Sequence, residues 1–524
     1  MLYLIFFTLF DYGCRTKPAS VPKADESTEA LKLEAEGDAS FREAHLYGWR
    51  QAEAAYQKAY NLTGSEECGK KLLRTRFLIL IRQIDEDIPY SEADTVIRNL
   101  CAGNEHQQVL CKIAEEYRSN TLQPEMKNAP IFKGEDPELE AYFKLLLSDD
   151  NSQEAASPDR TTLDDPSAAS PLFLYLSLWK LTSRDPAEVE KAYPRFAEAF
   201  EFIAESLFQK KKYGTARKYF QKSIELIPDY THAINGMGKI YFFVLEDYEQ
   251  ALNYFESALE QDPTSITALF GKGAALHELG RYQESIVTID RMLTGDLTRS
   301  GRMDNAGYLY YSGEGHYLKA NNYFRMQDPE KARESLDQAL QFLPDSEKIN
   351  ELSGVLYFRA NKLEEARKDF LSVISKGNSN CNAQLHLGLI YQRLKGSITE
   401  MPSEEPGRKW NKKYQETQSL RIESNEKKAL NYFLGASSCM ESTLFQLNNQ
   451  LDSVPSLDLE SGEKVLLAGK LKKKLAEFRM ASILDIEMMI NATSENTCTD
   501  KENYLAPMRE ILTRIRRITP NAFK

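Results

Sequence analysis

The strongest constraint on the fold is an internal repeat of about 34 residues, the usual length of a two-helix repeat unit. In each copy a small residue is followed three positions later by a large apolar or aromatic residue, and successive small residues are 34, 35, 47, 34 and 34 positions apart. The six pairs are Ala204/Leu207, Gly238/Tyr241, Gly273/Leu276, Ala320/Tyr323, Gly354/Tyr357 and Gly388/Tyr391. A unit this short cannot bury its apolar face alone, so neighbouring units must stack.

A second set of residues repeats in step with the first and predicts a second helix in each unit. Its members are Ala216/Phe220/Ser223, Ala251/Phe255/Ala258, Ser285/Ile289/Met292, Ala332/Leu336/Ala339, Ala366/Phe370/Val373 and Ala429/Phe433/Ala436. Pro228, Pro263 and Pro344 end three of these helices, because proline cannot continue a helix. The irregular spacings indicate insertions near residues 294–306 and 396–425. Stacked antiparallel helix pairs are therefore expected.

This pattern resembles the tetratricopeptide repeat (TPR). The resemblance implies an all-α fold, a right-handed superhelical solenoid of antiparallel helix pairs with helical N- and C-terminal extensions. It also implies that the chain binds other proteins or extended peptides, as members of this family commonly do. We expect no cofactor and no small-molecule substrate.

Six segments follow from this interpretation. We expect a segment like a lipoprotein signal at 1–14, a tether at 15–29, a degenerate TPR and helical region at 30–147, a linker at 148–171, the TPR solenoid at 172–440 and a C-terminal helical cap at 441–524. In the degenerate region, Ala52, Tyr56 and Ala59 take the second-helix positions. The cap should contain helices at about 461–491 and 502–518, which cover the face that the last repeat leaves open.

The N-terminal residues predict a location. Residues 1–10 (MLYLIFFTLF) are an apolar run too short to span a bilayer but long enough for the core of an export signal. Gly13-Cys14 and a polar stretch follow, and Asp11 with Tyr12 precedes them. This order resembles a bacterial lipoprotein signal of the loose kind found in spirochaetes. We expect acylation of Cys14 and anchoring to a bacterial envelope membrane, facing the periplasm or the surface. The competing interpretation is a buried helical turn.

Motifs for catalysis and metal binding are missing from the sequence. His277-Glu278 begins like a zinc-protease helix, but Arg281 stands where HExxH requires its second histidine. No phosphate-binding glycine loop, nucleophile elbow or dinucleotide fingerprint occurs. The net charge of −12 disfavours nucleic acid, whose binding depends on clustered cations. We expect no catalytic residue, no metal and no nucleic-acid partner.

The face of each first helix that points away from the second helix commonly lines the peptide groove in this family. Aromatic side chains there offer contact area, and asparagine amides can hydrogen-bond a peptide backbone. The competing interpretation is that several of the aromatic residues pack within the repeats. The candidates are Asn235, Lys239, Phe242, Phe270, His277, Tyr317, Asn321, Phe324, Lys348, Glu351, Phe358, Leu385 and Gln392.

Six cysteines remain besides Cys14, and none has the CxxC spacing of zinc or thioredoxin-like sites. They are either free buried thiols or disulfides. Cys381 begins a first helix and Cys439 follows the end of its second helix, so antiparallel packing brings the two together. In an oxidising compartment we expect a disulfide between them. A Cys101 to Cys111 disulfide is a further candidate.

Three functional interpretations stay open. The leading one is a membrane-anchored scaffold that recruits protein partners through the groove. The second is a soluble intracellular adaptor or co-chaperone, with Met1 retained and every cysteine reduced. The third is a cell-envelope-processing enzyme whose site lies in the segments without repeats. The chemical state of Cys14 separates the first two.

Overall fold

The structure is a computed structural model that describes residues 24–86, 93–103, 105–119, 184–294, 305–375, 380–397, 410–495 and 498–518, with Leu139, Ala141, Tyr142, Tyr175, Leu178 and Leu181. Across these residues the regular secondary structure is helical, without a strand, which confirms the predicted all-α class. Cys14, the signal at 1–14 and the linker at 148–171 lie outside the described residues. Within the described part, no helix combines the length and apolarity of a membrane span.

Two compact units make up the chain, residues 1–203 with 222–230 and residues 204–221 with 231–524. The first unit contains α1 (Ala24–Phe41), α2 (Leu46–Thr63), α3 (Glu66–Asp85), α4 (Ala93–Cys101), α5 (Glu105–Arg118) and α6 (Pro186–Ala192). Residues of α7 (Ala197–Gln209) and α8 (Tyr213–Leu226) contribute to both units. In the α1/α2 hairpin, Ala52, Tyr56 and Ala59 are fully buried, which suits the second-helix positions predicted for them.

The second unit is a succession of helix pairs followed by two further helices. The pairs are α9 (Thr231–Lys239) with α10 (Tyr248–Gln261), α11 (Ile266–Glu278) with α12 (Tyr282–Thr294), α13 (Asn305–Arg325) with α14 (Pro329–Phe342), α15 (Glu347–Arg359) with α16 (Leu363–Ser375), and α17 (Cys381–Ser397) with α18 (Trp410–Ser453). A π-helical turn at Ile240–Val244 extends α9. The last described helices are α19 (Ser461–Ser494) and α20 (Glu502–Arg517).

Glycines in the first helices let the second helices pack closely against them. At Gly354, an added Cβ would lie 2.8 Å from Cε1 of Phe370, nearer than such atoms normally approach. The same contact recurs in four pairs, joining Gly238 to Phe255, Gly273 to Ile289, Gly354 to Phe370 and Gly388 to Phe433. The interval between the partners is nearly constant in the first three pairs, and in the last the insertion lengthens it. The predicted repeat register is therefore confirmed.

We expect Gly354→Ala to lower the free energy of unfolding by about 1–3 kcal/mol, because the new methyl group must displace the Phe370 ring in a packed core. The matched control is Gly469→Ala in the interior of α19, where no atom would touch the added Cβ. That control should raise stability by roughly 0.5–1 kcal/mol, since alanine favours helix. Urea unfolding of both variants measures the two values. Equal effects of the same sign would contradict the packing role of Gly354.

The last helix pair continues into the C-terminal helices through one hydrophobic core. Phe370 and Phe433 of the repeats belong to the same buried cluster as Ile486 of α19 and Ile511 of α20. α18 spans 44 residues and runs without interruption across the predicted boundary at 440. The C-terminal helices thus cover the apolar face of the last pair, as expected from the need to close a stack of repeats.

The N-terminal half of α19 lies against the first pairs of the second unit as well. Thr215 N donates to Asp458 Oδ2 over 2.8 Å, just before α19 begins. Lys470 Nζ donates to the carbonyl oxygens of Leu245 and Glu246 over 2.6 and 2.7 Å. A helix of 34 residues is about 50 Å long, which is sufficient for contacts at both ends. The sequence predicted that the C-terminal helices cover the last repeat, but it did not predict the contacts of α19 with the first pairs.

Candidate functional site

Two of the groove candidates form bonds between neighbouring first helices. Asn235 of α9 is buried, and its Nδ2 donates to Thr267 Oγ1 of α11 over 3.1 Å. Lys239 Nζ lies 3.1 Å from Glu205 Oε2 of α7, in an ion pair between residues one repeat apart. These contacts join successive pairs, so both side chains contribute to the stacking of the repeats.

Aromatic candidates in the first pairs pack mainly on their neighbours. The Phe242 ring contacts Tyr248 at a centroid distance of 5.3 Å. Phe270 meets Tyr311 edge to face at 5.7 Å. Such edge contacts are the favoured geometry of aromatic pairs. These two rings agree with the interpretation that part of the aromatic set is internal packing.

His277 is held by two asparagine side chains of α13. Its Nδ1 lies 2.7 Å from Asn322 Oδ1, and its Nε2 lies 3.3 Å from Asn321 Nδ2. Asn321 can donate only through its amide nitrogen, so the ring carries its proton on Nδ1 in this arrangement. His277 therefore positions the amide of Asn321 rather than offering a free ligand nitrogen.

Six candidates come together around one cavity of about 530 Å³ between α13, α15 and α17. They are Tyr317, Asn321, Phe324, Lys348, Glu351 and Phe358. Six further residues complete its wall, namely Arg325, Leu352, Val355, Arg359, Asn382 and His386. Aromatic rings, amides and charged groups thus face the same space. A cavity of this size with a few convergent polar groups is typical of a binding site.

The charged candidates in this cavity already have partners. Lys348 Nζ pairs with Glu314 Oε2, again one repeat apart. Glu351 accepts hydrogen bonds from Asn382 Nδ2 over 2.6 Å and from Asn380 Nδ2 over 2.8 Å. These bonds fix the positions of α13, α15 and α17. The charge of Lys348 is balanced by Glu314, whereas Glu351 keeps its negative charge because its partners are neutral amides.

His386 forms an apolar part of the wall. Its ring stacks on Phe370 and meets Phe358 edge to face, with both centroid distances 5.0 Å. Its Nδ1 lies 2.8 Å from the carbonyl oxygen of Asn382, which makes Nδ1 the donor. Burial lowers the pKa of His386, so the ring is neutral at neutral pH.

The last two groove candidates lie outside the cavity wall. Leu385 is buried, in the same core cluster as Ile486 of α19. It occupies the repeat position of Tyr317 and Glu351, one repeat further along, and packing at the end of the stack buries it. Gln392 is half-buried on α17.

Sequence reasoning missed half of the wall. The candidates were chosen by their helical phase relative to the small and aromatic repeat positions. This choice omitted neighbouring residues, above all Arg325 and Arg359. A signal for these two exists, since they stand one repeat apart and each follows a Tyr-Phe dipeptide. Asn382 stands one repeat after the candidate Lys348, so helical phase also indicates it, whereas His386 stands where the two preceding repeats have leucine.

Among the residues that the structure describes, four cysteines are joined in disulfides. Cys381, the first residue of α17, pairs with Cys439 of α18, and their Cα atoms are 5.3 Å apart. Cys101 pairs with Cys111, with Cα atoms 5.1 Å apart. Both pairings match the expectations from the sequence in residue identity. The first links the two helices that flank the long insertion.

The other described cysteines are buried thiols. Burial raises the pKa of Cys68 and of Cys498 to about 11, so neither is a reactive thiolate at neutral pH. Among the described residues, one group has metal-ligand spacing, Cys101 with Cys111 and Glu115. Its two sulfur atoms are bonded to each other, so the group cannot supply a pair of thiolates.

Comparison with known proteins supplies family matches in this region. Tetratricopeptide repeat profiles match residues 197–230, 245–296 and 313–346. The first and last of these ranges contain α7 with α8 and most of α13 with α14. A protein of Arabidopsis thaliana, Hsp70-Hsp90 organizing protein 3, is 22% identical over 179 residues. That match covers 30% of this chain and 32% of the plant protein, so the chain spans about a third of its relative's length.

Several solved structures show a distant likeness. The pilF protein of Pseudomonas aeruginosa is 16% identical, covering 43% of this chain and 97% of its own, with a TM-score of 0.34. YrrB, described as a TPR protein with an unusual peptide-binding site, is 19% identical, with 41% and 91% coverage and a TM-score of 0.29. A tetratricopeptide repeat protein of Parabacteroides merdae is 13% identical, with 60% and 98% coverage and a TM-score of 0.31.

Proposed function

We propose that the chain, in which residues 197–230, 245–296 and 313–346 match tetratricopeptide repeat models, is a scaffold that holds an extended segment of a partner protein in the cavity between α13, α15 and α17. TPR helix pairs indicate protein–protein interaction as the general role. The cavity lies within the second unit and supports this proposal. The observation that carries the proposal is the convergence of six groove candidates on this one space.

Aromatic rings in the wall suit the side chains of a peptide. Tyr317 and Phe324 of α13 and Phe358 of α15 are each half-buried, so part of every ring can still contact a ligand. Rigid aromatic anchors bury large apolar area at low entropic cost, and a few of them commonly dominate the energy of an interface.

Amides in the wall suit the backbone of a peptide. Asn321 and Asn382 each carry donor and acceptor atoms, and an extended chain presents free N–H and C=O groups along its length. His277 and Glu351 hold these two amides in place. Fixed amides lose little conformational entropy on binding, which favours affinity.

We expect Phe358→Ala to weaken binding of a selected peptide by at least tenfold, because it removes a central aromatic anchor. The full chain would first be used to select binders from a phage-displayed library of random peptides, and the best peptide titrated by fluorescence anisotropy. The matched control is Phe445→Ala on α18, whose ring is 64% exposed away from the cavity. Binding to the control should stay within about twofold of the unmodified chain.

Circular dichroism checks that both variants remain folded. Peptides that bind Phe358→Ala and the unmodified chain equally well would remove the cavity from the mechanism. A library that yields no binder to the folded chain would remove the peptide-holding role itself.

We also propose that the chain is tethered to a membrane, and the sequence of residues 1–29 supports this. An apolar run, Gly13-Cys14 and a polar stretch stand in the order of a lipoprotein signal. On this proposal, Cys14 becomes the acylated N-terminus and the scaffold faces the periplasm or the cell surface. Mass spectrometry of the mature N-terminus tests it. An intact Met1 together with reduced cysteines would favour a soluble intracellular adaptor instead.

A further inference from the structure

Three arginines recur at one repeat position beside the cavity. Arg325, Arg359 and Arg393 follow one another at intervals of one repeat, and each comes after a Tyr-Phe or Tyr-Gln dipeptide. They lie on α13, α15 and α17, the helices that enclose the cavity. All three are exposed, and Arg325 and Arg359 line the cavity directly. We call these residues the arginine row.

Two members of the row, Arg359 and Arg393, each stack on an aromatic ring from the preceding repeat. The Arg359 guanidinium lies 4.3 Å from the centroid of Phe324, and that of Arg393 lies 4.2 Å from the centroid of Phe358. Stacking on a ring face fixes the plane of a guanidinium while its N–H donors stay available at the edge. The two rings are themselves cavity residues. The row therefore offers oriented donors along the peptide site.

Polar side-chain partners distinguish the other ionic groups of the cavity from the row. Lys348 is paired with Glu314, and Glu351 is satisfied by two asparagine amides. By contrast, no ion pair joins a member of the row to a carboxylate in the part of the chain that the structure describes. The cavity wall thus holds two arginines without an ion pair and one carboxylate, Glu351, that only neutral amides bind. Its net charge is therefore positive, although the whole chain carries −12.

Helix position accounts for only part of this arrangement. Arg325 and Arg359 are the last residues of α13 and α15, where a cation is favoured by the helix dipole. Arg393 lies four residues before the end of α17 and still stacks in the same way. Stacking on an aromatic ring is thus shared by Arg359 and Arg393, and the cavity wall by Arg325 and Arg359, whereas the helix terminus does not account for Arg393.

We propose that the arginine row selects an acidic segment of the bound peptide, with Asp or Glu carboxylates received by the guanidinium edges and apolar side chains of the same peptide on Phe324 and Phe358. This inference rests on the proposed peptide-holding role and adds the chemical class of the ligand. Arginine matches a carboxylate with two parallel hydrogen bonds, and such charge-assisted bonds are stronger than neutral ones. The local positive field also speeds encounter with an acidic ligand.

The test compares two labelled peptides of equal length, each with three copies of a four-residue unit, on the full chain. One repeats Glu-Phe-Asp-Ser, and the other repeats Gln-Phe-Asn-Ser, so they share shape and apolar content and differ in charge. We expect the acidic peptide to bind at least tenfold more tightly at about 0.1 M salt, with the ratio falling as salt screens the charges. A double variant, Arg359→Gln with Arg393→Gln, should bring the acidic peptide to the affinity of the amide peptide.

Matched controls identify which claim fails. Arg367→Gln on α16, whose side chain pairs with Glu364 of its own helix, should leave the ratio unchanged. Retained binding of the amide peptide shows that the double variant is folded.

Equal affinity of the two peptides for the unmodified chain would overturn the acidic preference and leave the peptide site standing, whereas binding of neither peptide would overturn both claims. An oligothymidylate that binds more tightly than the acidic peptide would assign the row to phosphates and overturn the proposal.

Discussion

Replacing Arg82 by leucine should lower the free energy of unfolding of the first unit by about 3–5 kcal/mol. The side chain is 1% exposed, and its Nη1 lies 3.0 Å from Oε1 of Glu198, which is fully buried. Its Nη2 donates to Tyr142 Oη over 2.8 Å. Removing the guanidinium would leave the Glu198 carboxylate buried without its counter-ion, and this uncompensated charge is the source of the large loss.

Native-state hydrogen exchange of the α3 amides measures this loss directly. The control is Arg195→Ala, which removes an ion pair to Glu43 from an arginine that is 53% exposed and should cost less than about 1 kcal/mol. Changing Arg82 and Glu198 to leucine together should restore part of the stability, because no buried charge then remains. A loss for Arg82→Leu no larger than for the control would refute the role of the buried pair.

Replacing Cys381 and Cys439 by serine should lower the free energy of unfolding of the oxidised protein by about 4 kcal/mol. The disulfide closes a loop across 58 positions, which contains the long insertion, and so it restricts the unfolded chain strongly. Urea unfolding of the oxidised forms measures the difference. The same experiment in reductant is the internal control, where the two proteins should unfold alike. Identical midpoints for the oxidised forms would contradict the disulfide.

The repeat register could be predicted because it has a local physical cause. Gly238 and Gly388 must be small where an aromatic ring of the paired helix crosses them, and the stacking of pairs repeats this demand at a fixed interval. Even the insertion before Phe433 leaves the register intact, since the inserted residues precede the part of α18 that packs on α17, and those from Trp410 onward extend α18 at its N-terminal end. The residue types and their spacing therefore both predict the repeat register.

Other parts of the fold depend on contacts that do not repeat along the chain, and these could not be predicted from the sequence. The contacts of α19 join Asp458 to Thr215 and Lys470 to Leu245, across 243 and 225 positions, and nothing in either segment marks its partner. Arg82 resembles a surface residue of an amphipathic helix until Glu198 is placed beside it, 116 positions away. Partners set by tertiary packing alone leave no trace in a helical pattern.

The candidate site could be predicted in part for the same reason. Tyr317 and Glu351 line the cavity because helical phase decides which way they face. Leu385 has the same phase, and it is buried because the last pair packs with the C-terminal helices in one core. The arginine at 359 was missed because its role depends on Phe324 of another repeat, which a pattern within a single unit does not reveal.

Hydrogen–deuterium exchange of the full chain, with and without a library-selected peptide, tests the central claim most directly. If the cavity holds the peptide, exchange should slow in α13, α15 and α17, because a ligand stabilises the segments that it contacts. Residues of the first unit and of α20 should exchange at unchanged rates. Protection confined to those regions, with none in α13, α15 or α17, would contradict the account.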